Sequence, residues 1–476
     1  MRLVTALFCL ALLGACAAVN PPRNAALDAA PNPDLIDSAG ITAGEVYIGL
    51  AFSGGGMRAS AFAYGMTEEL RAAGVLDSVR LVSGVSGGAV TAAQLGLKGP
   101  AGLVGFRDRY LIRDAERHMA TSPLNPVTLV RGLAGGANSR ETFGRHLEET
   151  LFRGATFGDL RARSTIRTWI YATDMANATP FLFTPETFDA LCSDLMRLPL
   201  SEAVAASAAF PLVFAPVVLE AHQGRCDYRE PDWLTSARFN PEATEAMRAY
   251  ARSLESYARP DGPRYVKLLD GGVTDNFGTT GLALERARAR SAAAPMTEAE
   301  AVRLKRMLFL VADAGVQPDF RWSMSPKGPG VVGLTKSLAL SSVGAATRAG
   351  YDAMRSEMRR WQEDLVEWRC ALPPAEVRRL RGGDRGSWDC ADVKLFVGLA
   401  SFDNLPEAER ADLDRVPTRL RLPEAHVDQV IAAGRAATRA TPAFNGFLQS
   451  LETGPLEARV AAALGAGGRR IAPSPD

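Results

Sequence analysis

VYIGLAFSGGGMRASAFAYGMTEELRAAGVLDSVRLVSGVSGGAVTAAQLGL, residues 46–97, alternates strand-like and helix-like segments. Val46 to Phe52 is an almost unbroken apolar run before three glycines, the pattern of a strand buried on both faces. Ala59 to Ala73 is rich in Ala and Leu and stops at Gly74, which reads as a helix with its C-terminal glycine. Val79 to Ser83 is a second short strand, and Gly87 to Leu97 a second helix of small residues. The alternation continues outward. Thr168–Ala172, Leu212–Leu219, Tyr265–Leu269, Met307–Ala312 and Lys394–Val397 read as further strands, with helical stretches between most of them. Strands alternating with helices predict an α/β fold around a largely parallel central sheet.

The chain has 476 residues, 47% hydrophobic and 22% charged, which is globular composition. Lys and Arg total 54 against 53 Asp and Glu, a net charge of +1. Such balance gives no bulk electrostatic reason to hold nucleic acid. No apolar run reaches the roughly 18 residues of a membrane-spanning helix. The four His and six Cys form no CxxC or HExxH spacing, so neither a metal site nor a cofactor is expected.

The N-terminus reads as an address. Met1-Arg2 is a charged start, and Leu3 to Leu13 is apolar apart from Thr5. That is a signal peptide over residues 1–15. Leu13-Gly14-Ala15-Cys16 resembles the lipobox of bacterial lipoproteins, which implies acylation of Cys16. The alternative is an ordinary signal peptide cut near Ala15 or Ala18. Residues 16–44 then read as the lipidated Cys and a flexible tether, because Asn20 to Gly44 is rich in Pro, Asn, Ala and Asp. Such a chain reaches roughly 25–30 Å. Ala17 gives no inner-membrane retention signal of the Asp type. The expected location is the bacterial cell envelope, lipid-anchored on the outer membrane and facing the periplasm. Export implies an oxidising compartment. Four Cys follow the tether, and the pairings favoured by proximity in sequence are Cys192–Cys226 and Cys370–Cys390.

The body, residues 45–455, is expected to be one domain with insertions at about 223–263 and 317–369, followed by a tail at 456–476. In the second insertion, the apolar face of a helix near Val331 to Leu340, with Trp322 and Met324 before it, suits either core or the lining of an acyl groove.

Gly84-Val85-Ser86-Gly87-Gly88 lies between a short strand and a helix. There a serine must turn sharply, with small neighbours, to present its hydroxyl at a helix N-terminus, where free amides favour negative charge. Ser53-Gly54-Gly55-Gly56-Met57-Arg58 follows the first strand. Successive glycines can aim their amides at one point. The phosphate-loop alternative lacks the required Lys. The dinucleotide-loop alternative lacks an acid at the end of the second strand, where Ser83 stands. An oxyanion hole of Gly54, Gly55 and Gly56 fits better. Arg58 is expected to support the loop or to meet substrate phosphate. Leu268-Leu269-Asp270-Gly271-Gly272 ends a strand in an acid, which is also a plain turn signal. None of His118, His146, His222 and His426 follows an obvious strand end. That leaves Asp270 as the candidate base, workable where a dry pocket raises its pKa.

This trio, in this order, resembles the patatin-like phospholipase family. Ala172-Thr173-Asp174, the block from Ala206 to Pro216, and Asp275-Asn276 also agree with it. The resemblance covers about Val46 to Leu284. It implies a three-layer α/β/α fold with helical insertions, a Ser86–Asp270 dyad, an oxyanion hole at Gly54–Gly56 and hydrolysis of lipid acyl esters. The expected activity is of the phospholipase A or lysophospholipase type, on membrane lipid or a lipid-like ester. Other readings stay open: an α/β-hydrolase esterase with a Ser86–Asp–His426 triad, acyl transfer in place of hydrolysis, and a non-catalytic envelope lipoprotein.

Overall fold

Among the described residues, eight strands make one sheet: β1 (Val46–Phe52), β2 (Val79–Val85), β3 (Arg167–Asp174), β4 (Thr179–Leu182), β5 (Val217–Glu220), β6 (Tyr265–Asp270), β7 (Arg306–Asp313) and β8 (Lys394–Ser401). Their order is β5-β6-β3-β2-β1-β7-β8, with β4 paired to β3 beside that path. The structure, a computed structural model, describes residues 18–28, 44–120, 128, 131–132, 135–241, 243–288, 291–315, 321–324, 326–328, 330–383 and 388–452. β3, β2, β1, β7 and β8 run parallel, while β4, β5 and β6 form an antiparallel corner. The apolar runs lie at the centre because central parallel strands lose both faces to helices. All seven residues of β1 are buried.

The helices used below are α1 (Gly56–Ala72), α2 (Gly87–Lys98), α3 (Leu200–Ser207), α4 (Thr280–Arg288), α5 (Val331–Ala371), α6 (Glu424–Ala440) and α7 (Pro442–Glu452). One face of the sheet meets α2 at Gly84 and α7 at Gly398, and α6 packs along α1 and reaches β8. The other face meets α4 near Trp169 and Tyr171, and the second half of α5 through Trp361, which stacks edge-on against Tyr47 and Phe309. Helices on both faces make the fold a three-layer α/β/α sandwich. Burying each large apolar side chain contributes about 1.5–3 kcal/mol.

Three expectations need correction. The strand expected over Leu212–Leu219 is only Val217–Glu220. Pro211 and Pro216 cannot donate to a sheet ladder, and Leu212 sits at φ 71°. The sequence reading missed β4, a short edge strand of four residues. The tether does not hang free over its first part. Asn20 is buried, donating from Nδ2 to Ala215 O and Pro216 O, both at 2.9 Å, while its Oδ1 accepts Arg140 N–H at 3.0 Å. Asn24 donates to Ser193 Oγ and Glu220 O, and its Oδ1 accepts Glu220 N–H. Leu27 N–H donates to Cys192 O, and Asp194 N–H to Ala25 O. Residues 20–27 are therefore a strap on the domain. The signal peptide, Cys16 and the 456–476 tail lie outside the described residues.

Both favoured disulfides are formed, Cys192–Cys226 and Cys370–Cys390. The first insertion folds back on β3, where Tyr257 donates to Asp174 Oδ2 at 2.7 Å.

Candidate active site

Strand register brings the motifs together. Val85 on β2 pairs with Tyr171 on β3, and the next residue, Ala172, pairs with Asp270 on antiparallel β6. Ser86 follows Val85, so it emerges beside Asp270. On the other side Phe52 of β1 pairs with Gly84, which sets the glycine loop against the serine turn. A Cβ on Gly54 would stand 3.3 Å from Ser86 Cβ.

Ser86 occupies φ 53°, ψ −122°, at the N-cap of α2. A non-glycine residue held there stores about 1–3 kcal/mol of strain. Packing and one hydrogen bond hold it in place: Ser86 N–H donates to Ser207 Oγ of α3 at 2.7 Å. Gly87 is dictated by close approach, since a Cβ there would lie 1.9 Å from Gly56 O. That approach sets the start of α2 against the start of α1, so the positive ends of both helix dipoles converge.

Gly55 and Gly56 take φ 143° and 63°, which only glycine adopts at little cost. Among the described residues their amides donate to nothing. Gly54 differs. Its N–H donates to Asn276 Oδ1 at 3.0 Å. Of the three amides expected to form an oxyanion hole, that of Gly54 is therefore engaged within the protein, and those of Gly55 and Gly56 are not. Asn276 Nδ2 in turn donates to Thr347 Oγ1 on α5 at 3.0 Å. Arg58 is 3% exposed. It donates to Ala314 O at 2.9 Å and Val416 O at 2.6 Å. Its guanidinium thus ties the start of α1 to the chain at 314 and at 416. Met57 N–H donates to Arg419 O, so a segment far along the chain also holds the loop.

Asp270 is buried, and desolvation raises its pKa from 3.8 to about 6. Gly272 N–H, 2.9 Å from Oδ1, and the neighbouring Ser86 hydroxyl offset part of the rise. Thr173 Oγ1 donates to Asp270 O at 2.8 Å and fixes the turn. The histidines are elsewhere. His426 lies on α6, His222 meets Asn24 O, His118 meets Arg117, and His146 packs on Tyr110, where burial lowers its pKa to about 4. None is a hydrogen-bond partner of Ser86 or Asp270, which leaves the His426 triad without support. Among the described residues no cluster of His, Cys, Asp and Glu suits a metal ion.

Ser207 and Asn276 are the residues that motif reading left without a role. Both lie in blocks that the sequence singles out, but their bonds cross 121 and 222 positions, so no local signal reveals them.

A strained serine between strand and helix and a glycine loop, both at the C-terminal ends of parallel strands, with a buried aspartate beside them at the end of an antiparallel one, give an α/β protein with the geometry of a nucleophile elbow. Residues 50–283 match the family model of patatin-like phospholipase. No curated protein matches the sequence. Among solved structures, human GIVD cytosolic phospholipase A2 is similar at 14% identity and a TM-score of 0.37, with 89% of this chain and 61% of that chain covered. This chain thus spans about three fifths of the human protein's length. VipD from Legionella pneumophila is similar at 13% identity and a TM-score of 0.32, with 92% and 72% covered. ExoU in its complex with SpcU from Pseudomonas aeruginosa gives 14% identity and a TM-score of 0.21, with 96% and 83% covered.

Proposed function

We propose that the chain is a serine acyl hydrolase that cleaves carboxylic esters of membrane lipids, of the phospholipase A or lysophospholipase type. The observation that carries this reading is the buried Asp270 carboxylate, set by strand register beside a serine held in a strained turn. The match to the patatin-like phospholipase model supports the lipid ester as substrate. In this mechanism Ser86 Oγ attacks the ester carbonyl carbon while Asp270 takes the hydroxyl proton. The oxyanion forms against the Gly55 and Gly56 amides, each such donor being worth about 2.7–4 kcal/mol. The C–O bond breaks, and Asp270 returns the proton to the leaving alcohol. Water then attacks the acyl-enzyme, again losing its proton to Asp270, and the fatty acid leaves as Ser86 recovers its hydrogen. A carboxylate with a pKa near 6 is charged at neutral pH, yet basic enough to accept a proton in the transition state. No cofactor enters these steps.

Anchoring belongs to the same proposal: acylation at Cys16, with the domain on the periplasmic side of a bacterial outer membrane. Metabolic labelling with a fatty acid, compared with Cys16→Ser, tests it. The activity itself is tested by hydrolysis of esters from four to sixteen acyl carbons and of vesicle phospholipid. Folded wild type that cleaves none of these overturns the reading.

Asn276→Ala is expected to lower kcat roughly 10- to 100-fold on a soluble ester, with KM nearly unchanged, because the glycine loop loses its brace while the binding surface stays. Circular dichroism would establish the fold. An unchanged kcat would mean that the loop holds itself.

A further inference from the structure

Two segments with exposed apolar residues are each joined to the Ser86–Asp270 site through named residues. The first is the strap. Asn20 is locked to Ala215 and Pro216. The same segment begins at Ala209, whose carbonyl accepts Asp270 N–H at 3.0 Å. Val19, 76% exposed, precedes the locked Asn20, and Val213, 40% exposed, lies on the segment itself. Cys16 is four residues before Asn20, so it reaches no farther than about 14 Å from that lock.

The second segment is the first half of α5. A Cβ on Gly272 would lie 3.6 Å from Val343, and Thr347 holds Asn276, so this helix adjoins the turn that carries Asp270. One to three turns before Val343 it displays Leu340, Leu338 and Leu334, exposed by 50%, 62% and 52%. At that exposure they are not core, the other reading of this stretch. From Phe320 to Tyr351 the sequence holds Arg321, Lys327, Lys336 and Arg348 and no Asp or Glu. The acids return at once, with Asp352, Glu357, Glu363, Asp364 and Glu367. Helix α5 thus changes character along its length: apolar and cationic where it stands out beside the site, mixed in charge where it packs on the sheet.

We propose that these two segments form one membrane-binding face for an anionic phospholipid bilayer, with the Ser86–Asp270 site opening between them. The proposal rests on the lipid-hydrolase reading and deepens it by naming how substrate is reached. Anionic headgroups complement a cationic segment free of acids, and acyl chains complement exposed leucines. The short span between Cys16 and the strap turns an anchor into an orienting device: a domain on a long tether tumbles, whereas one pinned within about 14 Å presents a fixed side.

The test uses the full chain with its native N-terminal processing, reconstituted on vesicles of phosphatidylethanolamine and phosphatidylglycerol. A fluorophore on Leu338→Cys is expected to be quenched by spin-labelled acyl chains. Leu334→Asp with Leu338→Asp is expected to cut vesicle hydrolysis at least roughly tenfold per residue, from the lost apolar insertion. Hydrolysis of a soluble butyrate ester should stay within about twofold, since neither leucine touches the reacting groups. A probe left unquenched, or vesicle hydrolysis equal to wild type, overturns the proposal. So does an equal loss on the soluble ester, which would make the helix part of the site. Should wild type cleave no ester at all, the hydrolase reading fails by itself, and quenching still decides the face.

Discussion

Ser86→Ala is expected to lower ester hydrolysis by roughly 10⁴-fold or more while the domain keeps its fold. The hydroxyl is the bond-forming group, and nothing nearby replaces it. The fold survives because the lock on this residue is its backbone: Ser86 N–H still donates to Ser207 Oγ, and Gly87 still abuts Gly56. Ser86→Gly separates chemistry from strain. It is equally inactive, yet relief of a φ of 53° should raise stability by about 1 kcal/mol. Urea unfolding of the two variants measures that difference. Equal stability would mean that the turn carries no strain worth relieving.

Asp270→Asn is expected to abolish activity and stabilise the protein at once. Asn keeps the acceptor for Gly272 N–H but cannot take the serine proton, so kcat/KM should fall by roughly 10³-fold or more. Stability moves the other way. The folded pKa of about 6 lies above the ordinary 3.8. Stability is therefore fully present below about 3.8 and is lost as pH rises towards 6, because the folded state must then bury a charge. At pH 7 that burial costs on the order of 3 kcal/mol, and Asn removes it. The gain should be large at pH 7.5 and absent at pH 4 in urea unfolding. Wild-type kcat/KM should rise tenfold per pH unit up to about 6 and then level. A limb near 4, with no stabilisation by Asn, would mean that water reaches the carboxylate.

The parallel core was legible because strands covered on both faces must be apolar runs, and the runs at Val46 and Met307 are such. Ser86, Asp270 and the glycine loop were legible because a tight turn constrains residues a few positions apart. What escaped the sequence is what depends on distant partners. Whether the Gly54 amide faces a substrate or Asn276 is settled 222 positions away. The Pro- and Asn-rich stretch after Cys16 has the composition of a tether, and only the carbonyls of Ala215, Pro216 and Glu220 turn its asparagines into fasteners. The apolar residues of α5 fit core as well as surface by period alone; their exposure follows from where the helix leaves the sheet.

Labelling with an alkyl fluorophosphonate, followed by mass mapping of the modified peptide, tests the central claim most directly. One adduct is expected, on Ser86, forming at a rate that falls as pH drops below about 6 and lost in Ser86→Ala and Asp270→Asn. An adduct on another residue, or labelling that persists in folded Ser86→Ala, would contradict the assignment of Ser86 as the nucleophile.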